Sequence, residues 1–305
     1  MSIVIRPVPV APAMLIGSSI PEYEKPVWDI GADYPVGVQV TYLDHDYESA
    51  QAPNVGNNPG ASPLHWTLIS ASNRWRMFDP VGEIKSVAAN PLVVTLMPGT
   101  RIDSIALRGL RATTVNIEVR EGEGGPVIYQ FSKRLTRTGI GSWSQYFFEP
   151  FYLLDAVTVR DIPLSRRAVI TVTIAGDATV AISDLVIGRS AYIGNAEYGA
   201  QAGIVSYGRK DRTTTGGSRL RRGRFARRNS LHTFVKSAEK DFVFKTLADL
   251  RETPCLLQGT TASGHELLTL FGTYEDFSVD IAYVAASLLS IEFLGFAEKT
   301  EPEGF

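Results

Sequence analysis

The chain is poor in the residues that usually carry chemistry. It has a single cysteine, Cys255, in 305 residues. No intramolecular disulfide can form, so a small secreted fold stapled by disulfides is excluded. A zinc site needing two or more thiolates from one chain is excluded for the same reason. The histidines are His45, His65, His232 and His265, and no two share the helical spacing of zinc ligands. There is no G-x-S-x-G elbow, no P-loop and no G-x-G-x-x-G stretch. Nor is there a window of about eighteen uncharged apolar residues, the length of a membrane-spanning helix. The nearest approach, AYVAASLLSIEFLGF, contains Glu292 and reads as strand. The N-terminal MSIVIRPVPVAPAMLIG is apolar, but Pro7, Pro9 and Pro12 break the run that a signal peptide needs. Residues 1–19 read instead as an extended arm. The expectation is a soluble protein made in the cytoplasm, not an enzyme, with no cofactor and no metal.

The isolated polar clusters agree with this. Cys255 lies between Pro254 and two leucines and reads as a buried, inert small hydrophobe rather than a nucleophile. Asp44, His45 and Asp46 read as a polar loop. Glu121 and Glu123 sit on a glycine-rich hairpin tip, where solvated surface is the natural reading.

What is abundant is turn chemistry and short apolar runs. Apolar residues make up 44% of the chain, and 27 glycines and 17 prolines punctuate its whole length. This pattern predicts a mainly β protein. Residues 71–190 supply the strand candidates NRWRMFD, PLVVTLM, RIDSIALRGL, TTVNIEVR, PVIYQFS, SQYFFEP, AVTVRD, AVITVTIAG and TVAISDLVIG. In TTVNIEVR, Val115, Ile117 and Val119 share one face, while Asn116, Glu118 and Arg120 share the other. A β-sandwich of jelly-roll type is expected there. Residues 20–70 are rich in aromatics and turns and read as a small module. Residues 191–305 read as an α+β domain. Its helix is expected near FVFKTLADLRET, with Phe244, Leu247 and Leu250 three apart and Pro254 ending it. The strands CLLQGT, ELLTLFGTYE, FSVDIAYVA and LLSIEFLGFA follow.

Charge is distributed unevenly. The chain carries −2 in total, yet residues 209–230 hold nine Lys and Arg against Asp211 alone, a local +8 that leaves −10 elsewhere. Within this island Arg219, Arg221, Arg222, Arg224, Arg227 and Arg228 are packed into SRLRRGRFARRNS. A helix would be broken by Gly223 and show arginine all round, and a strand would show it on both faces. An extended loop or protruding hairpin fits. Three roles are open: phosphate binding, a solvated loop and a subunit interface. Only Phe225 interleaves with the arginines, and the remaining chain is acidic, which argues against nucleic acid. Arginine forks paired with carboxylates of a neighbour suit the composition better.

The stretch 27–69 carries a more specific pattern: Trp28, Tyr34, Gly37, Val38 and Val40, then Tyr47, Glu48 and Ser49, then Pro59 and Trp66. It resembles the small chitin-binding module appended to chitinases. The chain departs from that family just after Tyr47, where ESAQAPNVG has no further aromatic. HWTLISASNRWRMFDP then leads into the strand-rich region. This order resembles tail proteins of long-tailed bacteriophages and prophages, in which an aromatic module precedes a galactose-binding-like jelly roll. LADLRETPCLLQG and LFGTYEDFSVDI look tail-like as well. The resemblance implies a virion structural component of the tail tip or baseplate, partnered by copies of itself and other tail proteins. It also implies Trp28, Tyr34, Trp66 and Trp75 as ring faces for a host-surface glycan. The opposing reading is that the module's rings form its mini-core. Asp79 is implied either as a calcium ligand, as in some jelly rolls, or as the cap of a turn. In NRWRMFD, Trp75 and Met77 are expected inward and Arg74 and Arg76 outward. A free carbohydrate-binding protein is the alternative function.

Overall fold

The computed structural model describes residues 1–79, 84–135, 154–212, 218–262, 264–281 and 283–296. The strands begin with β1 (Ser2–Pro7), β2 (Leu15–Ser18), β3 (Gln39–Tyr42), β4 (His45–Ser49) and β5 (Trp66–Ala71). Then come β6 (Ser86–Ala89), β7 (Leu92–Leu96), β8 (Ser104–Arg108), β9 (Thr114–Glu121) and β10 (Val127–Arg134). They continue with β11 (Val157–Val159), β12 (Ala168–Ala175), β13 (Thr179–Ile182) and β14 (Asp184–Ala196). The last part holds β15 (Gln201–Ser206), β16 (Arg209–Arg212), β17 (Ser218–Arg221), β18 (Phe225–Lys236) and helix α1 (Lys240–Asp249). It ends with β19 (Cys255–Gln258), β20 (Thr269–Asp280) and β21 (Ala286–Gly295). The protein is mainly β with antiparallel sheets, as its composition predicts.

The chain forms two compact units, Val8–Ile187 and Met1–Pro7 with Gly188–Phe305. The segments 20–70 and 71–190 fall mostly in the first unit. Residues 1–19, read from sequence as one arm, are divided. Ser2–Pro7 is a strand of the second unit, paired with β14 and β19, and Leu15–Ser18 pairs with β7 in the first.

The first unit contains a two-layer sandwich. One layer has the order β10–β9–β12–β7–β2, and the other contains β11, β8 and the start of β14, with the β13–β6 pair. Alternation decides which residues face inward. Val115, Ile117 and Val119 of β9 are buried, and they lie opposite Ile174, Val172 and Ile170 of β12. Those three lie opposite Leu92, Val94 and Leu96 of β7. Ile105, Leu107, Val157, Val159, Leu185 and Ile187 complete the core from the facing layer. Each fully buried aliphatic side chain contributes about 1.5–3 kcal/mol.

Two strand expectations fail here. NRWRMFD is a turn and a 3-10 helix, Arg76–Phe78, not a strand. The Ser72 carbonyl accepts from both Trp75 N (2.8 Å) and Arg76 N (3.0 Å), which curls the chain. Met77 is still buried, but Trp75 is half-buried rather than a core face. TVAISDLVIG is also two strands, because Ser183 leaves β13 to bond the Arg108 carbonyl and β14 starts after it. The SQYFFEP candidate lies outside the described residues.

The second unit is a closed barrel. β14, β1, β19, β20, β21 and β18 pair antiparallel in that order, and β18 returns to β14 through Asn195↔Phe234 and Ala196↔Thr233. Closure requires Gly194, whose φ is +122°. A Cβ there would lie 2.7 Å from the Phe234 carbonyl oxygen. Inside are Val4, Ile193, Leu231, Val235, Leu257, Leu270, Leu289, Ile291 and Phe293. Val243, Leu247 and Leu250 of the α1 segment pack into the same core. Their spacing of four and three puts them on one helical face. Phe244, expected on that face, is instead exposed and packs edge-on against Phe277, with ring centroids 5.4 Å apart. The Tyr274 hydroxyl donates to the Leu247 carbonyl at 2.8 Å and satisfies one helix-end acceptor. ELLTLFGTYE and FSVDIAYVA, read as two strands, share the single strand β20, which has a bulge at Glu275 and ends at Asp280.

Leu247→Ala should leave a cavity in the barrel and lower stability by about 2–5 kcal/mol. Chemical denaturation with an unchanged m-value would show it.

Candidate functional site

The four aromatic residues singled out from sequence do not form one platform. Tyr34 and Trp66 are the core of the small module β3–β4–β5, 7% and 3% exposed, with ring centroids 5.2 Å apart. The Trp66 indole N–H donates to the Asn57 carbonyl at 2.9 Å, and the Asp29 N–H donates to the Tyr34 hydroxyl at 2.6 Å. Neither ring can offer a face to a sugar while it is packed this way. A module this small has little else with which to fill its interior. Trp28 is half-buried and edge-on to Tyr42 at 5.4 Å. Trp75 belongs to the 3-10 turn and lies against Phe78.

The structure brings together a different file of rings. Trp28, Tyr42 and Tyr47 follow one another across β3 and β4, with Tyr42–Tyr47 centroids 6.5 Å apart, and His45 extends the file at 6.5 Å from Tyr47. Tyr42 and His45 are opposite each other in the β3–β4 register, as are Val40 and Tyr47. Sequence reasoning passed over Tyr42 and read His45 as part of a polar loop, whereas it begins β4. Period-two alternation from Val40 was the signal that puts Tyr42 on the Tyr47 side.

The opposite face of the same sheet holds a buried charge. Asp46 is 3% exposed and sits opposite Thr41, whose hydroxyl donates to it at 2.7 Å. Lys25 Nζ and an Arg76 guanidinium nitrogen approach its other oxygen at 3.2 and 3.4 Å. Asp46 was read as part of a polar loop. It is instead the anion that ties Lys25 and the 3-10 turn to the module.

The arginine island forms one structure. β18 pairs with β21 from Lys236↔Ala286 to Arg228↔Leu294, and with β15 from Ser230↔Gln201 to Phe225↔Ser206. Outside Arg228 no third strand pairs among the described residues, and residues 204–212 and 218–227 continue as a two-stranded arm. Tyr207 N donates to the Arg224 carbonyl at 2.8 Å, and β16 then pairs with β17 from Arg209↔Arg221 to Arg212↔Ser218. Gly223 permits the bend between them, because a Cβ there would meet the Tyr207 carbonyl at 2.4 Å. The hairpin reading of this island holds for β16–β17. Its last residues differ: Phe225–Ser230 belong to a long barrel strand.

All six candidate arginines lie on this arm or its base. Arg219 and Arg221 are in β17, Arg222 and Arg224 are at the bend, and Arg227 and Arg228 are in β18. Arg221, Arg222 and Arg224 are exposed, Arg227 is half-buried, and Arg228 donates to Glu292 of this same chain at 2.6 Å. Apolar side chains are exposed beside them: Ile204, Tyr207 and Leu220. Asn229 is buried at the base and donates to the Leu267 carbonyl at 3.4 Å. A two-stranded ribbon in water is only marginally stable by itself. The exposed groups of this ribbon are planar guanidinium forks and the side chains of Ile204, Tyr207 and Leu220.

Cys255 is fully buried in the barrel, and burial pushes its thiol up to about 12. Among the described residues, no three His, Cys, Asp or Glu come together as metal ligands, and no helix is long and apolar enough to cross a membrane.

The chain matches no known protein family and no curated protein. Among solved structures it is similar to chitosan-binding module 1 of a chitosanase/glucanase from Paenibacillus sp. IK-5. The identity is 11% and the TM-score 0.25, over 37% of this chain and 81% of that one. At that score the likeness carries no argument.

Two outcomes follow. Asp46→Ala would leave Arg76 and Lys25 without their anion and Thr41 without its acceptor; the loss should approach about 3 kcal/mol and appear as a lower melting temperature. The Cys255 thiol should stay unreactive toward a disulfide reagent at pH 8 and react only on unfolding. Its folded value lies above the unfolded one, near 8.5. The unfolded chain therefore loses this proton first, and the contribution declines as pH rises between about 9 and 12.

Proposed function

We propose that this chain is a structural, assembling protein of a long-tailed phage tail tip or baseplate, acting by binding rather than by catalysis. The observation that carries the assembling part is the arm formed by residues 204–212 and 218–227. It leaves the barrel as a bare two-stranded ribbon and exposes Arg221, Arg222, Leu220, Tyr207 and Ile204 together. Arginine and tyrosine on an unsupported ribbon suit a protein partner: the forks match carboxylates, and the ring and aliphatic groups supply buried area. The phage setting rests on the order of sequence motifs: aromatic module, NRWRMFD, sandwich, then the LADLRETPCLLQG region. Several copies in one particle would raise weak individual contacts to useful avidity.

A glycan-contacting role for the small module, in the particle or in a free carbohydrate-binding protein, is favoured by one feature. The file Trp28–Tyr42–Tyr47 is only partly buried, in contrast to Tyr34 and Trp66. Tyr34 and Trp66 have no part in that reading.

Antibody labelling of phage particles from the source strain tests the proposal. Label at the tail tip is expected. Unlabelled particles, with the protein free in the lysate, would overturn the tail assignment and leave the carbohydrate-binding alternative.

A further inference from the structure

We infer that the arm's receptor is a second copy of this chain, and that β17 of one copy adds to the outer edge of β20 in the next. This rests on the assembling role proposed above and names its partner surface.

The receiving edge is visible in the pairing of the barrel. β20 pairs with β21 along Gly272–Asp280, but β19 covers its other edge only from Thr269 to Gly272. Among the described residues, the backbone of Thr273–Asp280 has no further backbone partner on that side. This open stretch reads TYEDFSVD. Glu275, Asp276 and Asp280 are exposed, and none is in an ion pair among the described residues. Phe277 is half-buried beside the exposed Phe244. Exposed edges are commonly guarded by charge and by bulges. Here the acids, and the bulge at Glu275, disfavour a second β20 by repulsion while attracting a cationic strand. The densest cationic strand in the chain is SRLRR, residues 218–222, and its Arg221 and Arg222 are exposed, with no ion pair among the described residues. Leu220, also exposed, supplies an apolar group of the kind that Phe244 and Phe277 offer across the gap.

The geometry of the barrel separates donor from receiver. The arm leaves past the row Arg228–Leu294–Thr273. At about 3.3 Å per residue, and with the bend at Gly223 between them, Leu220 lies at most roughly 25 Å beyond that row. The receiving edge runs in the other direction, to the row Asp280–Leu288–Phe234. One copy's arm therefore points away from its own acidic edge. The contact joins unlike surfaces of successive copies, head to tail, and this arrangement closes into a ring or continues as a filament. Main-chain pairing would supply the affinity and the opposite charges would supply the selectivity.

The test is sedimentation of the full chain at about 50 mM salt, where screening is weak. The native protein should self-associate. R221E/R222E and D276K/D280K should each weaken association by about tenfold or more with unchanged melting curves. An equimolar mixture of the two should regain it, because an unaltered arm cannot dock on a reversed edge but a reversed arm can. Two further variants, L220C and S278C, should form a mixed disulfide on oxidation, and a double variant should cross-link between chains rather than within one. If R221E/R222E dissociates the protein and D276K/D280K does not, the assembling arm stands and this receptor is wrong. Failure of the mixture to recover association also overturns it. A native chain that stays monomeric, or association unaffected by either variant, overturns both.

Discussion

The second unit depends on how one long strand divides its edge. β18 gives one side to β21 for its whole inner length. On the other side it takes two partners in turn: β14 at Thr233 and Phe234, then β15 from Ser230 outward. The first contact closes the barrel and the second starts the arm. The Glu197 N–H still bonds the His232 carbonyl at 2.8 Å; the chain then bulges through residues 198–200 and β15 resumes in the same direction along β18. The buried Thr233 hydroxyl fixes the junction by donating to the Ile193 carbonyl at 3.0 Å.

Closure also sorts the apolar residues. In β21 the inward set is Leu289, Ile291 and Phe293, and a one-residue slip of register would replace it with Leu288, Ser290 and Glu292. Glu292 instead faces out, where Arg228 meets it. That ion pair is half-exposed and adds little stability. It does place a cation and an anion side by side on this surface, so only part of the arginine island is left for anything else.

The small module shows the same economy of residues. Its core is three side chains, Tyr34, Val40 and Trp66, with Trp28, Val38 and Tyr47 packed at the rim. With so few residues, rings that would serve a ligand are used for packing. Asp46 ties the back of the sheet to Lys25 and to the turn that follows β5. NRWRMFD curls partly because of this: Arg76 reaches Asp46 and also donates to the Ala71 carbonyl at 3.1 Å.

Much of this was legible in the chain because it rests on local rules. Alternation alone identified β9 and its inward Val115, Ile117 and Val119, composition pointed to a mainly β protein, and the flanking Pro254 and leucines pointed to a buried Cys255. The charge count alone isolated the arginine island, and Gly223 and the two-sided arginine pattern narrowed it to an extended loop or a protruding hairpin. What the chain could not show were the decisions made by distant partners. Ser2–Pro7 became a barrel strand because β14 and β19 leave a gap of one strand between them. Phe244 turned outward because Val243 was the residue that reached the core. Tyr34 and Trp66 were buried because their neighbours in space left no other filling for the module. Periodicity reports which residues share a face, but which face meets another strand, and which edge stays bare, is set by pairings across the whole chain.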